Sequence, residues 1–208
     1  MTRKFEELKR DPYYLRAKRE GYRSRAVYKL MEINRLFRVI KDGDRVLDLG
    51  SAPGGWLQYI AERVGVDGLV VGVDVKPIKP LGKSNVKILN MDIFDRSLVE
   101  ELKKIAPEFD VITSDVSANV TGVWDVDVAR SIDINLRVLQ IADGVLRTGG
   151  CVVSKVFEGR GVDRVVREFR KRFRFVKLFK PKASRKRSSE IYIIGIGYMP
   201  LRRYSRSL

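Results

Sequence analysis

Four polar features stand at the ends of short apolar runs, and each contains a carboxylate. They are Asp48–Gly55, Asp74, Asp92 and Asp115. The first reads DLGSAPGGW through Trp56. Its glycines Gly50, Gly54 and Gly55 suit a tight turn that lets backbone approach a ligand closely. The spacing is G-x-x-x-G-G, not the dinucleotide G-x-G-x-x-G, and Pro53 removes an N–H that could cradle a pyrophosphate. No Lys-Ser/Thr follows the glycines, so the loop is not a P-loop. Asp74 follows Gly54 by 20 residues, where a carboxylate can accept two hydrogen bonds from ribose hydroxyls. Asp92 is placed for the edge or exocyclic amine of adenine. Three carboxylates around a Gly loop would repel a pyrophosphate. They favour an adenosine ligand without phosphates, and S-adenosylmethionine (SAM) fits as a cationic sulfonium with free ribose hydroxyls.

These groups need a scaffold, and the chain alternates strand and helix. Strands are expected at Arg45–Leu49, Leu69–Val73, Val86–Leu89, Phe109–Thr113, Cys151–Phe157, Phe173–Leu178 and Glu190–Tyr198. Helices are expected at Gly55–Val64, Ser97–Ile105, Ala129–Leu146 and Val162–Arg172. An amphipathic helix over Ser24–Phe37, with Ser24 as N-cap, precedes them. The pattern predicts an α/β fold: a Rossmann-like, mostly parallel seven-stranded sheet with helices on both faces, a single domain plus a basic N-terminal helix. In such sheets ligands bind beyond the C-terminal strand edges, where the carboxylates fall. The expected organisation is a basic N-terminal arm over 1–23, one catalytic domain over 24–198 and a basic tail over 199–208.

Composition removes other chemistries. The 208 residues include no histidine and one cysteine, Cys151. His-based triads, His-ligated zinc, disulfides and Cys-cluster metal sites are excluded, and no metal is expected. Cys151 opens a buried strand and reads as a small core residue, not a nucleophile. Tyr14 and Lys18 match the Tyr-x-x-x-Lys spacing of nicotinamide-dependent reductases, but they precede the first strand, too early for that chemistry. The net charge is +16. Residues 1–38 carry +7, residues 39–159 carry −4 and residues 160–208 carry +13. Two basic ends around an acidic middle point to a polyanionic partner. No apolar run approaches the roughly 20 residues of a membrane span, so a cytoplasmic protein is expected.

Five stretches occur together and in order: SRAVYKL (24–30), DLGSAPGGW (48–56), SDVSANVTG (114–122), VSKVFEG (153–159) and SRKRSSEIYIIG (184–195). Through them the chain resembles the FtsJ family of ribosomal RNA ribose 2'-O-methyltransferases. Val116 and Ser117 depart from the family's usual Met or Leu followed by Ala-Pro. The resemblance implies a catalytic set of Lys29, Asp115, Lys155 and Glu190. It also implies SAM contacts at Gly54, Trp56, Asp74, Asp92 and Asp115, which join Gly50 of the Gly loop. It further implies S-adenosylhomocysteine as product and a uridine of 23S rRNA, in the large ribosomal subunit, as target. A transfer RNA target, and a non-catalytic RNA-binding or ribosome-assembly role, are the alternatives. A monomer is expected.

The residues make chemical sense of that set. A ribose hydroxyl must lose its proton to attack a methyl group, and without histidine the bases available are lysines and carboxylates. Lys155 sits near the end of an otherwise apolar strand, VVSKVF, where desolvation disfavours an ammonium. Lys29 would repel it further, and Asp115 and Glu190 would oppose that. The clusters Arg16, Lys18, Arg19, Arg23, Arg25 and Lys180, Lys182, Arg185, Lys186, Arg187 flank the set and suit phosphate contacts. Tyr13, Tyr14 and Tyr22 could stack on unpaired bases or pack on the domain.

Overall fold

The computed structural model describes residues 11–117, 121–185 and 187–201. The order is α1 (Pro12–Arg19), α2 (Val27–Phe37), β1 (Arg45–Leu49), α3 (Gly55–Val64), β2 (Leu69–Asp74), β3 (Val86–Asn90), α4 (Leu98–Ile105), β4 (Phe109–Ser114), α5 (Trp124–Val145), β5 (Leu146–Phe157), α6 (Val162–Arg170), β6 (Phe173–Phe179) and β7 (Glu190–Tyr198). The strands form one seven-stranded sheet in the order β3-β2-β1-β4-β5-β7-β6. All neighbours pair in parallel except β7, which is antiparallel to both β5 and β6.

Alternation along the strands builds a core on each face. Leu47, Val71, Ile112 and Val152 pack with α4, α5 and α6 residues such as Leu102, Leu139 and Phe169. Val46, Val70, Val111 and Val153 point the other way, onto Leu30 and Ile33 of α2 and Leu57 and Ile60 of α3.

Three local expectations change. First, residues 12–19 of the basic arm form a helix of their own, α1, ahead of the one expected from Ser24. Asp11 caps it by accepting the Tyr13 and Tyr14 N–H groups at 3.0 and 3.2 Å, and Pro12 occupies the first turn. Tyr13 and Tyr22 pack against Tyr28 of α2, with ring centroids 5.6 and 6.3 Å away, so these two rings pack on the domain. Second, Ser24 does not cap α2, which starts at Val27. Its Oγ accepts the Ala26 N–H at 3.1 Å, in a separate turn before the helix. Third, α5 starts at Trp124, five residues before Ala129. Asp127 holds its entry by accepting the Thr121 N–H at 2.8 Å and the Gly122 N–H at 3.3 Å.

Candidate active site

Strand register converges the carboxylates and lysines on one edge. Leu49 pairs with Val73 of β2 and Ser114 of β4, so the Gly loop emerges between Asp74 and Asp115. Ser114 in turn pairs with Ser154, which sets Asp115 beside Lys155. Because β7 runs antiparallel to β5, Lys155 faces Tyr192 and Phe157 faces Glu190. Glu190 thus begins a strand at the edge where β5 ends.

A cavity of about 600 Å³ opens there, within the usual size range for a small-molecule site. Gly50, Asp74, Asp92 and Asp115 line it, with Met91, Phe94 and Ile134 as apolar walls. Gly50 is needed for close approach: its φ is +74°, and a Cβ would sit 2.7 Å from the Val116 nitrogen. Asp74 accepts the Ala52 N–H at 2.9 Å and the Lys76 N–H at 2.8 Å. Asp92 accepts the Phe94 N–H at 2.9 Å. These bonds fix the carboxylates, and each oxygen keeps a lone pair for a hydroxyl or amine. The acidic groups and apolar walls therefore fit an adenosine carrying a cationic sulfur. Asp74→Ala should weaken cofactor binding by about tenfold or more, the loss of one or two charge-assisted hydrogen bonds. Calorimetric titration with SAM checks this, and unchanged affinity would count against the ribose role.

Gly54 and Trp56 lie outside the cavity wall. The Trp56 ring is buried, 5.9 Å from the Tyr192 ring centroid, and its Nε1–H donates to the Ala26 carbonyl at 2.8 Å. Any contact to a cofactor from Trp56 falls to its main chain in the first turn of α3, where N–H groups lack helical partners. Arg23 is engaged within the chain. It donates to the Pro53 carbonyl at 3.3 Å and the Pro80 carbonyl at 2.9 Å, and it clamps the Gly loop to the loop after β2.

Asp48 sits behind the Gly loop, fully buried. Thr113 Oγ1 donates to its Oδ1 at 2.7 Å, while Oδ2 lacks a hydrogen-bond partner. Burial pushes this carboxyl up to about 7. The folded chain then holds a proton between about pH 4 and 7 that the unfolded chain has released. Stability of the cofactor-free protein should therefore fall as pH rises through that window and level off above it. Asp48→Asn should lack this fall, and Tm measured against pH checks it. A wild-type curve without the fall would contradict the assignment.

The catalytic candidates form two linked ion pairs. Lys155 Nζ donates to the Asp115 carbonyl at 2.9 Å and lies 3.2 Å from Asp115 Oδ1. Lys29 Nζ lies 2.8 Å from Glu190 Oε2. Tyr192 stands between the pairs: its OH donates to Asp115 Oδ1 at 2.8 Å, and Lys29 Nζ lies 5.7 Å over its ring. Burial pushes the Asp115 carboxyl up, but Lys155 and Lys29 more than offset it and hold it low. Glu190 is likewise raised by burial and brought below its usual value by Lys29 and Lys155. Burial, with Asp115 beside it, keeps the Tyr192 phenol protonated and so a donor. Behind Lys155, the amide of Asn135 donates to the Lys155 carbonyl at 2.8 Å. Sequence reading missed Tyr192 and Asn135. Tyr192 had a signal, since i and i+2 of a strand share a face with Glu190.

A second cavity, about 450 Å³, lies on the other side of this set. Lys29 and Glu190 line it together with Arg25, Arg185 and Arg187. Burial, and repulsion from Arg185, depress the Arg25 guanidinium. Lys186 lies outside the described residues. The ion pairs thus stand between an acidic cavity and a basic one. Among the described residues no His/Cys/Asp/Glu group is arranged to hold a metal ion.

A family model described as FtsJ-like methyltransferase matches residues 22–198. The chain belongs to the FtsJ-like methyltransferase family. It is a methyltransferase, and its family uses SAM in general. One relative, the ribosomal RNA large subunit methyltransferase E of Archaeoglobus fulgidus, is 46% identical over 90% of this chain and 95% of its own length. The protein of that name from Methanothermobacter thermautotrophicus is 43% identical over 96% of this chain and 95% of its own. A crystal structure described as a ribosomal RNA methyltransferase from Plasmodium falciparum superposes with a TM-score of 0.78 at 26% identity, covering 86% of this methyltransferase and 100% of that chain. A fibrillarin pre-rRNA processing protein from Methanococcus jannaschii shares the fold, with a TM-score of 0.55 at 16% identity over 77% of this chain and 68% of that one.

Proposed function

We propose that this enzyme, a cytoplasmic monomer, moves the methyl group of SAM onto a ribose 2'-hydroxyl of RNA. The target is a uridine of 23S rRNA in the large ribosomal subunit, and S-adenosylhomocysteine is the product. The observation that carries the reading is the Lys29–Glu190 and Lys155–Asp115 array between an acidic cavity and a basic one. SAM supplies an electrophilic methyl on sulfur. Asp74 holds the ribose hydroxyls, Asp92 meets the adenine edge and Asp115 borders the methyl. Gly50, and Gly54 and Trp56 through their main chain, shape the cradle. Lys155, as the free amine after its ammonium proton has passed to solvent, orients the attacking 2'-oxygen and takes its proton as the O–CH3 bond forms and the S–CH3 bond breaks. Lys29 and Glu190 hold the target ribose, and Arg25, Arg185 and Arg187 hold its phosphates. No metal is required, since the sulfonium leaves as a neutral thioether and no phosphoryl charge develops to be neutralised. No helix among the described residues is long and apolar enough to cross a membrane.

The relatives named for the ribosomal large subunit support the choice of RNA. Methyl transfer to large ribosomal subunits, free ribosomal RNA and transfer RNA, run in parallel with mapping of the modified nucleotide, tests it. Label on a uridine ribose of the large-subunit RNA is expected. Label confined to transfer RNA would move the substrate, and label on a base would overturn the chemistry.

A further inference from the structure

The clusters beside Lys29 and Glu190 account for only part of the C-terminal charge. Residues 160–180 hold nine Lys/Arg and two Asp/Glu. Some are neutralised locally: Arg167 pairs with Asp163, Lys171 with Glu168 at 2.6 Å, and Arg172 with Asp143 at 3.0 Å. Arg160, Arg164, Arg170, Arg174 and Lys177 are exposed and join no ion pair among the described residues.

Their placement is ordered. α6 buries Val162, Val165 and Phe169, which turns Arg164, Arg167 and Arg170 outward. Arg174 lies on β6, the edge strand of the sheet, while Lys177, paired with Ile194, projects from the face opposite α6. Arg160 lies in the loop after Phe157, the end of the strand that carries Lys155. The ridge therefore begins at the catalytic edge and runs away from it along α6, a nine-residue helix about 13 Å long. Contiguous like charges repel each other and do nothing for folding, so the ridge suits an anion that relieves them. On the same face of the sheet, beyond α5, α4 balances Glu100 and Glu101 with Lys103 and Lys104. A lipid surface fits poorly, because the apolar face of α6 is buried inside the fold.

We propose that the outer face of α6 and the β6 edge form a second RNA-docking surface. It takes the phosphate backbone of a folded segment beyond the target nucleotide. This rests on RNA being the substrate, as argued above, and its test reads RNA binding directly.

The full-length protein carrying Arg164→Gln, Arg170→Gln and Arg174→Gln together is compared with wild type. Binding is measured to large-subunit ribosomal RNA and to a uridine-rich single strand of about ten nucleotides, a length that one groove can hold. Affinity for the ribosomal RNA should fall about tenfold or more, and the log–log salt slope by about two to three. Affinity for the short strand should stay within about twofold, and the matching Arg→Lys triple should restore most of the lost affinity. Unchanged ribosomal RNA binding would overturn the proposal. So would an equal loss on both RNAs, which would make the ridge part of the active-site groove. A loss seen only with vesicles containing phosphatidylserine would also overturn it, in favour of a membrane. Wild-type protein that binds the ribosomal RNA but transfers no methyl to it would sink the functional reading and leave the docking result standing.

Discussion

Lys155→Ala should lower methyl transfer about a thousandfold or more while leaving SAM affinity within a few-fold. The chain has no histidine, so no imidazole can take over the proton. Lys155 Nζ is held by both the carbonyl and the carboxylate of Asp115, and Asn135 fixes the Lys155 main chain from behind. The Nζ position is therefore set before substrate arrives. Lys155 does not line the 600 Å³ cavity, which is why cofactor binding should survive its loss. Lys155→Arg should not rescue the reaction, because a guanidinium keeps its proton. Single-turnover transfer and calorimetric titration, run together, separate the two effects. A variant that keeps the wild-type rate at neutral pH would remove Lys155 from the mechanism.

Asp115→Ala should lose both activity and stability. The substitution strips Lys155 of its counter-charge, with only 6% of the lysine side chain exposed, and leaves the Tyr192 hydroxyl without its acceptor. Breaking a buried pair from one side costs about 3 kcal/mol or more. Asp115 also lines the cofactor cavity, so SAM affinity should fall as well, in contrast to Lys155→Ala. Asp115→Asn keeps an oxygen for Tyr192 and should be intermediate in stability yet equally poor in transfer. Urea unfolding and methyl incorporation, measured on the same preparations, decide the matter. A stable Ala variant would mean that the pair is not energetically coupled to the fold. Because the Asp115 carboxyl is held low in the folded chain, its contribution is present above its ordinary value of 3.8 and is lost as pH falls below it. It therefore acts below the pH window assigned to Asp48.

Strong local patterns were legible in the chain. β1, α3 and β7 run over the residues that apolar runs and spacing of four indicate, Arg45–Leu49, Gly55–Val64 and Glu190–Tyr198. Weak ones were not. α1 has one fully buried residue, Ala17, and is fixed by the Asp11 cap and by tyrosine packing on α2, so no apolar stripe announced it. The first turn of α5 is largely exposed, with Trp124 46% accessible, and it hides in the same way. Trp56 illustrates a different limit: a motif reports that a residue matters without saying whether its ring or its main chain does the work.

The sequence by itself determined the chemistry available: lysines and carboxylates as the proton-handling groups, a Gly turn ringed by strand-end aspartates, and basic ends around an acidic middle. It also determined which strands exist, because a run of Val, Ile and Leu has few ways to be buried. Only the tertiary structure decided which of these groups meet. Lys29 and Glu190 are 161 residues apart, and Lys155 and Asp115 are 40 apart. They meet because β7 inserts antiparallel between β5 and β6, and because β4 and β5 align Ser114 with Ser154. Strand order and register arise from the packing of both sheet faces at once. A local pattern carries the period of a strand but not the identity of its neighbour.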